Sequence, residues 1–205
     1  IIATETSYMV KDGKGYGLLD KNGKVVMPCV YQEMKPQYSY LLCKKDGKWG
    51  VFTSSYNELY PCQYQEVSLL EVEEKLVLMH KDKGLWGVID FNSGMELLPV
   101  KYEKIDLVKF EDRYYYIAVE HGLKGLYTVD GVLIVPCNYS DIECKSVAGE
   151  TLLEVKCKDG AIGLVHMNGI DILEPGKYTS YEWFWLSSKE RFVRPEKSDY
   201  TLYAS

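Results

Sequence analysis

The chain has 205 residues, of which 46% are hydrophobic and 26% charged, the balance of an ordinary globular protein with its own core. Its formal net charge of -6, with no basic block, argues against a nucleic-acid partner, because an anionic surface repels a phosphate backbone. No apolar run approaches the roughly 18 residues that a membrane-crossing helix needs, so no membrane span is expected.

Taken in chain order, the predicted elements repeat. The first copy, GYGLLDKNGKVVMPCVYQEM, places Gly17 on a strand, a turn at Asn22-Gly23, then Pro28 and Tyr31. The second, KWGVFTSSYNELYPCQYQEV, brings Trp49, Gly50, Pro61 and Tyr64. The third, LWGVIDFNSGMELLPVKYEKI, brings Trp86, Gly87, Pro99 and Tyr102. The fourth, LKGLYTVDGVLIVPCNYSDI, and the fifth, AIGLVHMNGIDILEPGKYTSY, carry Gly125, Pro136, Tyr139 and Gly163, Pro175, Tyr178. The anchor glycines step by 33, 37, 38 and 38 residues, and every proline is followed three residues later by the tyrosine. One Gly–Pro–Tyr register held through five copies is the signature of a tandem repeat.

Each copy parses as three short strands. A lead-in strand (YLLCKK, KLVLMHK, RYYYIAVE, TLLEVKC) ends in a tight turn, with Asp12-Gly13, Asp46-Gly47 and Asp159-Gly160 suited to primed hairpin turns. The second strand carries the anchor glycine, at a point where a neighbouring strand or ring is expected to come close. The third strand is expected to stop at its proline, which offers no N–H. The tyrosine and the apolar residue three positions beyond it (Met34, Val67, Ile105, Ile142, Tyr181) are expected to pack on the next unit. Eighteen tyrosines among Val- and Leu-rich runs favour strands, and no segment has a helical period, so helix content should be near zero. The fold expected is all-β: a tandem repeat of short antiparallel strands, about five copies of 33–38 residues with a C-terminal half repeat at 182–205, forming one domain over 1–205. An open array is favoured, with a closed propeller-like arrangement as the alternative.

The phrases KKDGKWGVF, GLWGVIDFNSGMELLPVKYEKI and NGKVVMPCVYQEM resemble WG repeats, also called KWG repeats. Copies two and three match best, and copy five is degenerate. The resemblance implies a β-rich tandem repeat, typical of bacterial proteins, and it brings no catalytic residue with it.

No Gly-x-Gly-x-x-Gly, P-loop, Gly-x-Ser-x-Gly or His-Glu-x-x-His motif occurs. His80 and Cys43 occupy matching slots, with Cys157 near the same slot, but ligand number and spacing argue against a metal. Glu33, Glu66 and Asp141 recur two residues after tyrosines. Acid–base work on a sugar would need one of them to hold a raised pKa, and nothing in the sequence singles one out. The six cysteines fall at patterned positions, as small buried hydrophobes with free thiols. The aromatic cluster at Tyr181, Trp183 and Trp185 reads as a hydrophobic cap or as a ligand and partner surface. The expectation is a non-enzymatic scaffold for a protein partner, without catalytic residue, cofactor or metal. The rival is a carbohydrate- or cell-surface-binding module using exposed aromatics. Burial of Trp49, Trp86 and Trp183 separates the two. The chain opens at Ile1, so a removed signal or a trimmed segment is open and the compartment is undetermined.

Overall fold

The protein is seen in a computed structural model that describes residues 7–147, 150–187 and 190–197, with the backbone alone described at 147, 183–187 and 190–197. Among the described residues there is no helix; every regular element is a strand. The strands form five separate antiparallel sheets, none closed into a barrel. Sheet 1 is β1 (Ser7–Lys11), β2 (Tyr16–Asp20) and β3 (Val25–Tyr31). Sheet 2 is β4 (Glu33–Gln37), β5 (Tyr40–Lys45), β6 (Lys48–Thr53) and β7 (Glu58–Tyr64). Sheet 3 is β8 (Glu66–Val72), β9 (Lys75–Asp82), β10 (Leu85–Asp90) and β11 (Glu96–Tyr102). Sheet 4 is β12 (Lys104–Phe110), β13 (Arg113–Glu120), β14 (Leu123–Thr128) and β15 (Leu133–Tyr139). Sheet 5 is β16 (Asp141–Val147), β17 (Glu150–Lys156), β18 (Ile162–His166), β19 (Asp171–Ser187) and β20 (Glu190–Lys197). The chain divides into two compact units, Ile1–Val100 and Lys101–Ser205.

The three-strand unit expected from sequence is one strand short. The residues after each tyrosine form a further strand, which opens the next sheet rather than merely packing on it. Met34, Val67, Ile105 and Ile142 lie in β4, β8, β12 and β16. Tyr181 instead lies within β19, which runs on without a break and pairs with β20, adding a fifth strand to sheet 5.

The prolines are also placed differently. Pro28, Pro61, Pro99 and Pro136 sit in the middle of β3, β7, β11 and β15, not at their ends. These are edge strands, where a missing N–H costs no ladder bond and hinders edge-to-edge pairing. Around the proline the strand bulges. Trp49 pairs with Tyr64 and Val51 with Tyr60, so one residue of β6 faces three of β7. That residue is Gly50, and a Cβ on it would lie 2.7 Å from the Tyr60 carbonyl oxygen and 2.9 Å from the Cys62 sulfur. The close neighbour anticipated at the anchor glycine is thus the bulged backbone of the adjacent edge strand.

The turns obey two chemistries. Asp46-Gly47 has φ of 51° and 75°, both positive as a primed hairpin turn requires. Lys83-Gly84 and His121-Gly122 repeat it without an aspartate. Asp12-Gly13 and Asp159-Gly160 do not, because their aspartates keep negative φ and use their carboxylates within longer loops. Asp12 Oδ1 accepts the Lys14 and Gly15 N–H groups, and Asp159 Oδ1 accepts that of Ala161. At the second turn, the last residue of the anchor strand caps the loop with its side chain. Asp20 accepts from Asn22 and Lys24, Thr53 from Asn57, Asp90 from Ser93, and Thr128 from Val132.

Strand alternation sends successive side chains to opposite sides of the strands, and adjacent sheets within a unit stack through their apolar faces. Between sheets 1 and 2, Leu18, Met27 and Tyr31 meet Leu41, Cys43 and Phe52. Between sheets 2 and 3, Leu42, Trp49, Val51 and Tyr64 meet Leu69, Leu78 and Ile89. Between sheets 4 and 5, Tyr115, Leu126 and Val135 meet Ile142, Leu153, Val155 and Val165.

Candidate functional site

Tyr31, Tyr64 and Tyr102 are buried, and Tyr139 and Tyr178 are half-buried. Burial pushes the Tyr31 hydroxyl up to about 12, and its ring meets Phe52 edge-on at 5.7 Å. The Tyr102 hydroxyl donates to that of Tyr127 at 2.9 Å. The residue after the tyrosine, unremarked in the sequence, is a clamp. Gln32 and Gln65 accept the N–H groups of Gly47 and Gly84, each at 2.7 Å, and Glu103 accepts that of Gly122. Each clamp fixes the second hairpin turn of the sheet it enters, the one that leads into the anchor strand.

The aromatic residue before the glycine is covered, not offered. Trp49 is 9% exposed, with the Lys35 ammonium 4.7 Å from its ring centroid and that of Lys44 at 5.6 Å. Trp86 is half-buried beneath Lys81, and Tyr16 lies beneath Lys11. A lysine over the ring occupies the face on which a sugar would stack. The side chains of Trp183 and Trp185 lie outside the described residues. Tyr181 is half-buried, and its hydroxyl donates to Glu154 Oε2 at 2.6 Å.

The recurrent carboxylates are tied to lysines: Glu33 to Lys35 and Lys44, Glu66 to Lys81, and Asp141 to Lys124. Hydrogen bonds from those lysines hold Glu33 and Asp141 below the usual carboxylate range, the direction opposite to that of a general acid at neutral pH. Cys43 and His80 do occupy one slot, each paired across from its anchor glycine, Gly50 or Gly87. Cys157 lies beyond the end of β17 and misses that slot, which Val155 fills opposite Gly163. Among the described residues no group of three or more His, Cys, Asp or Glu is arranged to hold a metal ion.

All six cysteines are free, but only Cys43 is buried and the other five are half-buried. Their packing role is explicit at Cys62 and Cys137, whose sulfurs lie over Gly50 and Gly125. Burial pushes the Cys43 thiol up to about 12 and raises those of Cys62 and Cys137, so none is an activated nucleophile.

Apart from Tyr8 and Tyr38, the large apolar side chains exposed among the described residues are aliphatic. Just past the second turn, at the start of β3, β7, β11, β15 and β19, Val25, Leu59, Met95, Val132, Leu133, Ile170 and Ile172 stand in solvent. In the second unit two of these stretches lie on neighbouring strands in contact. A Cβ on Gly169, in the β18–β19 turn, would lie 3.0 Å from the Ile134 carbonyl oxygen of β15. The turn therefore rests on the neighbouring edge strand and brings Ile170 (63% exposed) toward Val132 (61%) and Leu133 (52%). Exposed Asp130 and Asp171 flank these residues. The same unit has a cleft of about 440 Å³ between the β12–β13 turn, the start of β17 and the β18–β19 turn. Phe110, Tyr115 and Met167 form its apolar wall, and Glu111, Arg113 and Glu150 stand at its rim.

Residues 16–49 match the WG containing repeat, so the chain carries this repeat across one period, from the aromatic before the first anchor glycine to the aromatic before the second. No curated protein matches the sequence. Among solved structures it is similar to the dihydro-heme d1 dehydrogenase NirN, determined in complex with DHE, at 18% identity and TM-score 0.36. That match covers 94% of this chain and 46% of the other, so the chain spans about half of NirN's length. It is similar to BBS1N, determined in complex with ARL6DN, at 13% identity and TM-score 0.32, covering 94% of this chain and 71% of that one. PorZ, a bacterial surface component of the type-IX secretion system of Porphyromonas gingivalis, matches at 11% identity and TM-score 0.28, over 83% of this chain and 25% of its own. No helix among the described residues is long and apolar enough to cross a membrane.

Proposed function

We propose that the chain is a non-enzymatic repeat scaffold that holds a protein partner on the aliphatic edge of its second unit. The observation that carries this reading is that Val132, Leu133, Ile170 and Ile172 all stand in solvent where the β18–β19 turn, at Gly169, lies against the Ile134 carbonyl of β15. Asp130 and Asp171 beside them favour a partner segment that pairs aliphatic residues with lysine or arginine. Two findings support scaffold over enzyme: lysines hold the Glu33 and Asp141 carboxyls below the usual range, and burial raises the thiols of Cys43, Cys62 and Cys137. Lysine-covered Trp49 and Trp86 favour a protein partner over a carbohydrate.

The test is selection from a displayed library of basic–aliphatic peptides, followed by affinity measurement on purified chain. Selected peptides should bind the wild type and lose at least about tenfold in affinity to the Leu133→Ser, Ile170→Ser double variant, with its unfolding midpoint unchanged, since exposed positions contribute little to stability. Equal binding by the double variant, or no selected peptide, contradicts the reading.

A further inference from the structure

One position in the fold breaks its own rule. The residue paired across from the anchor glycine is apolar in four sheets: Val10 opposite Gly17, Cys43 opposite Gly50, Ala118 opposite Gly125, and Val155 opposite Gly163, with Cys43 and Val155 packed on the preceding sheet. In sheet 3 it is His80, opposite Gly87. His80 is 7% exposed, the one buried polar residue among those described. Its ring lies 4.7 Å from that of Tyr64, the repeat tyrosine ending β7, so it sits at the seam between sheets 2 and 3. Its Nδ1 is enclosed without a hydrogen-bond partner.

The surroundings favour the neutral ring. On β8 the residue across from His80 is Val67, and Glu66 beside it is bonded to Lys81. On β10 the partner is Gly87, which has no side chain. From β7 the neighbour is the uncharged Tyr64. Two carboxylates, Glu96 on β11 and Asp82 on the strand of His80 itself, pull the other way, but burial outweighs them and lowers the pKa of His80 from its ordinary value.

We propose that His80 is a proton-operated latch on the seam between sheets 2 and 3, closed by the neutral ring and loosened when the ring takes a proton from solvent. The sign follows from linkage. The folded pKa lies below the unfolded one, so the contribution of the seam is complete above the ordinary histidine pKa. It is lost as pH falls toward the folded value, because the unfolded chain binds the proton more readily. Trp49, Leu42 and Val51 lie in the same seam, so loosening it would uncover apolar surface of sheet 2. The latch is independent of the partner reading, because His80 lies in the first unit and the aliphatic edge lies in the second.

The experiment is amide hydrogen exchange on the whole chain at about pH 7 and about pH 5, corrected for intrinsic rates and read over β7, β8 and β9. Wild type should lose about tenfold in protection at the lower pH, while β13 and β14 change little. His80→Val, which installs the residue found here in sheets 1 and 5, should show equal protection at both values. His121→Gln should behave as wild type. An undiminished acid loss in His80→Val, or no acid loss in wild type, overturns the latch. Should the valine variant not fold, His80→Cys and the ring titration of wild-type His80 by NMR decide: an ordinary or raised pKa overturns the proposal, and a lowered one that tracks the loss of protection upholds it.

Discussion

Sheet 2 and sheet 5 share one backbone plan and clothe it differently. In sheet 2 the residue before the slot is Leu42, buried against Trp49 and Val51 and facing sheet 3. In sheet 5 the same register holds Glu154, which accepts the Tyr181 hydroxyl and lies 3.9 Å and 4.0 Å from Lys145 and Lys156. Glu143 bridges the same two lysines at 2.6 Å. Ladder, bulge and turn recur in both sheets, yet one face is aliphatic and the other an ion-pair network. The repeat therefore specifies backbone, while the chemistry of each face follows what that face meets.

The sharpest way to break the comparison is to exchange the two side chains. Leu42→Glu buries a carboxylate with no partner and should cost more than about 4 kcal/mol in urea unfolding, since large losses come from unpaired buried charge. Glu154→Leu should stay within about 1.5 kcal/mol of wild type, because apolar replacement of an ion-pair network is often neutral. Equal costs would mean that the two faces do not differ as described.

The tyrosines extend the contrast. Tyr64→Ala and Tyr102→Ala remove buried rings and should each cost about 3–5 kcal/mol. Tyr178→Ala, from the half-buried tyrosine of sheet 5, should cost less. A loss under about 1 kcal/mol at Tyr102 would be the cost of an exposed ring and would remove its structural role.

Next comes Gly50→Ala. Its Cβ would lie 2.7 Å from a backbone oxygen and 2.8 Å from the Cys62 nitrogen, so the bulge must shift, at about 1–3 kcal/mol. Gly163→Ala in sheet 5 would meet Pro175 Cγ at 2.6 Å, on β19, and should cost a similar amount, because the strand facing the anchor glycine bulges in both sheets. A neutral result at Gly50 would contradict the bulge.

The smallest effect concerns the polar face. The lysine contacts hold the Glu143 carboxyl at about 2, with hydrogen bonds from Lys145 and Lys156 the leading causes. A folded pKa below the unfolded one gives stability that is present above the ordinary carboxylate range and lost as pH falls toward about 2. Glu143 is solvent-exposed, so added salt should screen the pairs and move its NMR-measured pKa upward. An ordinary pKa at low salt would remove the network.

Gly, Pro and Tyr were legible in the sequence because each answers to one backbone demand: no Cβ at the bulge, no N–H at an edge, and a ring at a junction. The strand after the tyrosine was not. EMKPQ is short and contains a proline, and one residue, Gln32, separates it from β3. The proline read as a stop because a sequence does not say which strand is an edge. The aliphatic edge was hidden for a similar reason, since Val132 and Ile170 look like core residues until the pairing shows that nothing covers them. The capping side chains Asp20, Thr53 and Asp90 sit where polar residues are unremarkable, and only the hydrogen bonds distinguish them.

The central claim is that sheets 2 to 5 each open immediately after a repeat tyrosine, with the residue after the tyrosine already hydrogen-bonded to the new sheet. Its most direct test is residue-resolved hydrogen exchange of four amides. Those of Gln32, Gln65, Glu103 and Ser140 donate to the carbonyls of Lys44, Lys81, Val119 and Lys156, at 2.7 to 2.8 Å. All four should be protected like strand amides, while those of the turn residues Lys21 and Ser54 exchange freely. If the four exchange as fast as the turns, the residue after the tyrosine is a linker, and the sheets are not bounded where this account places them.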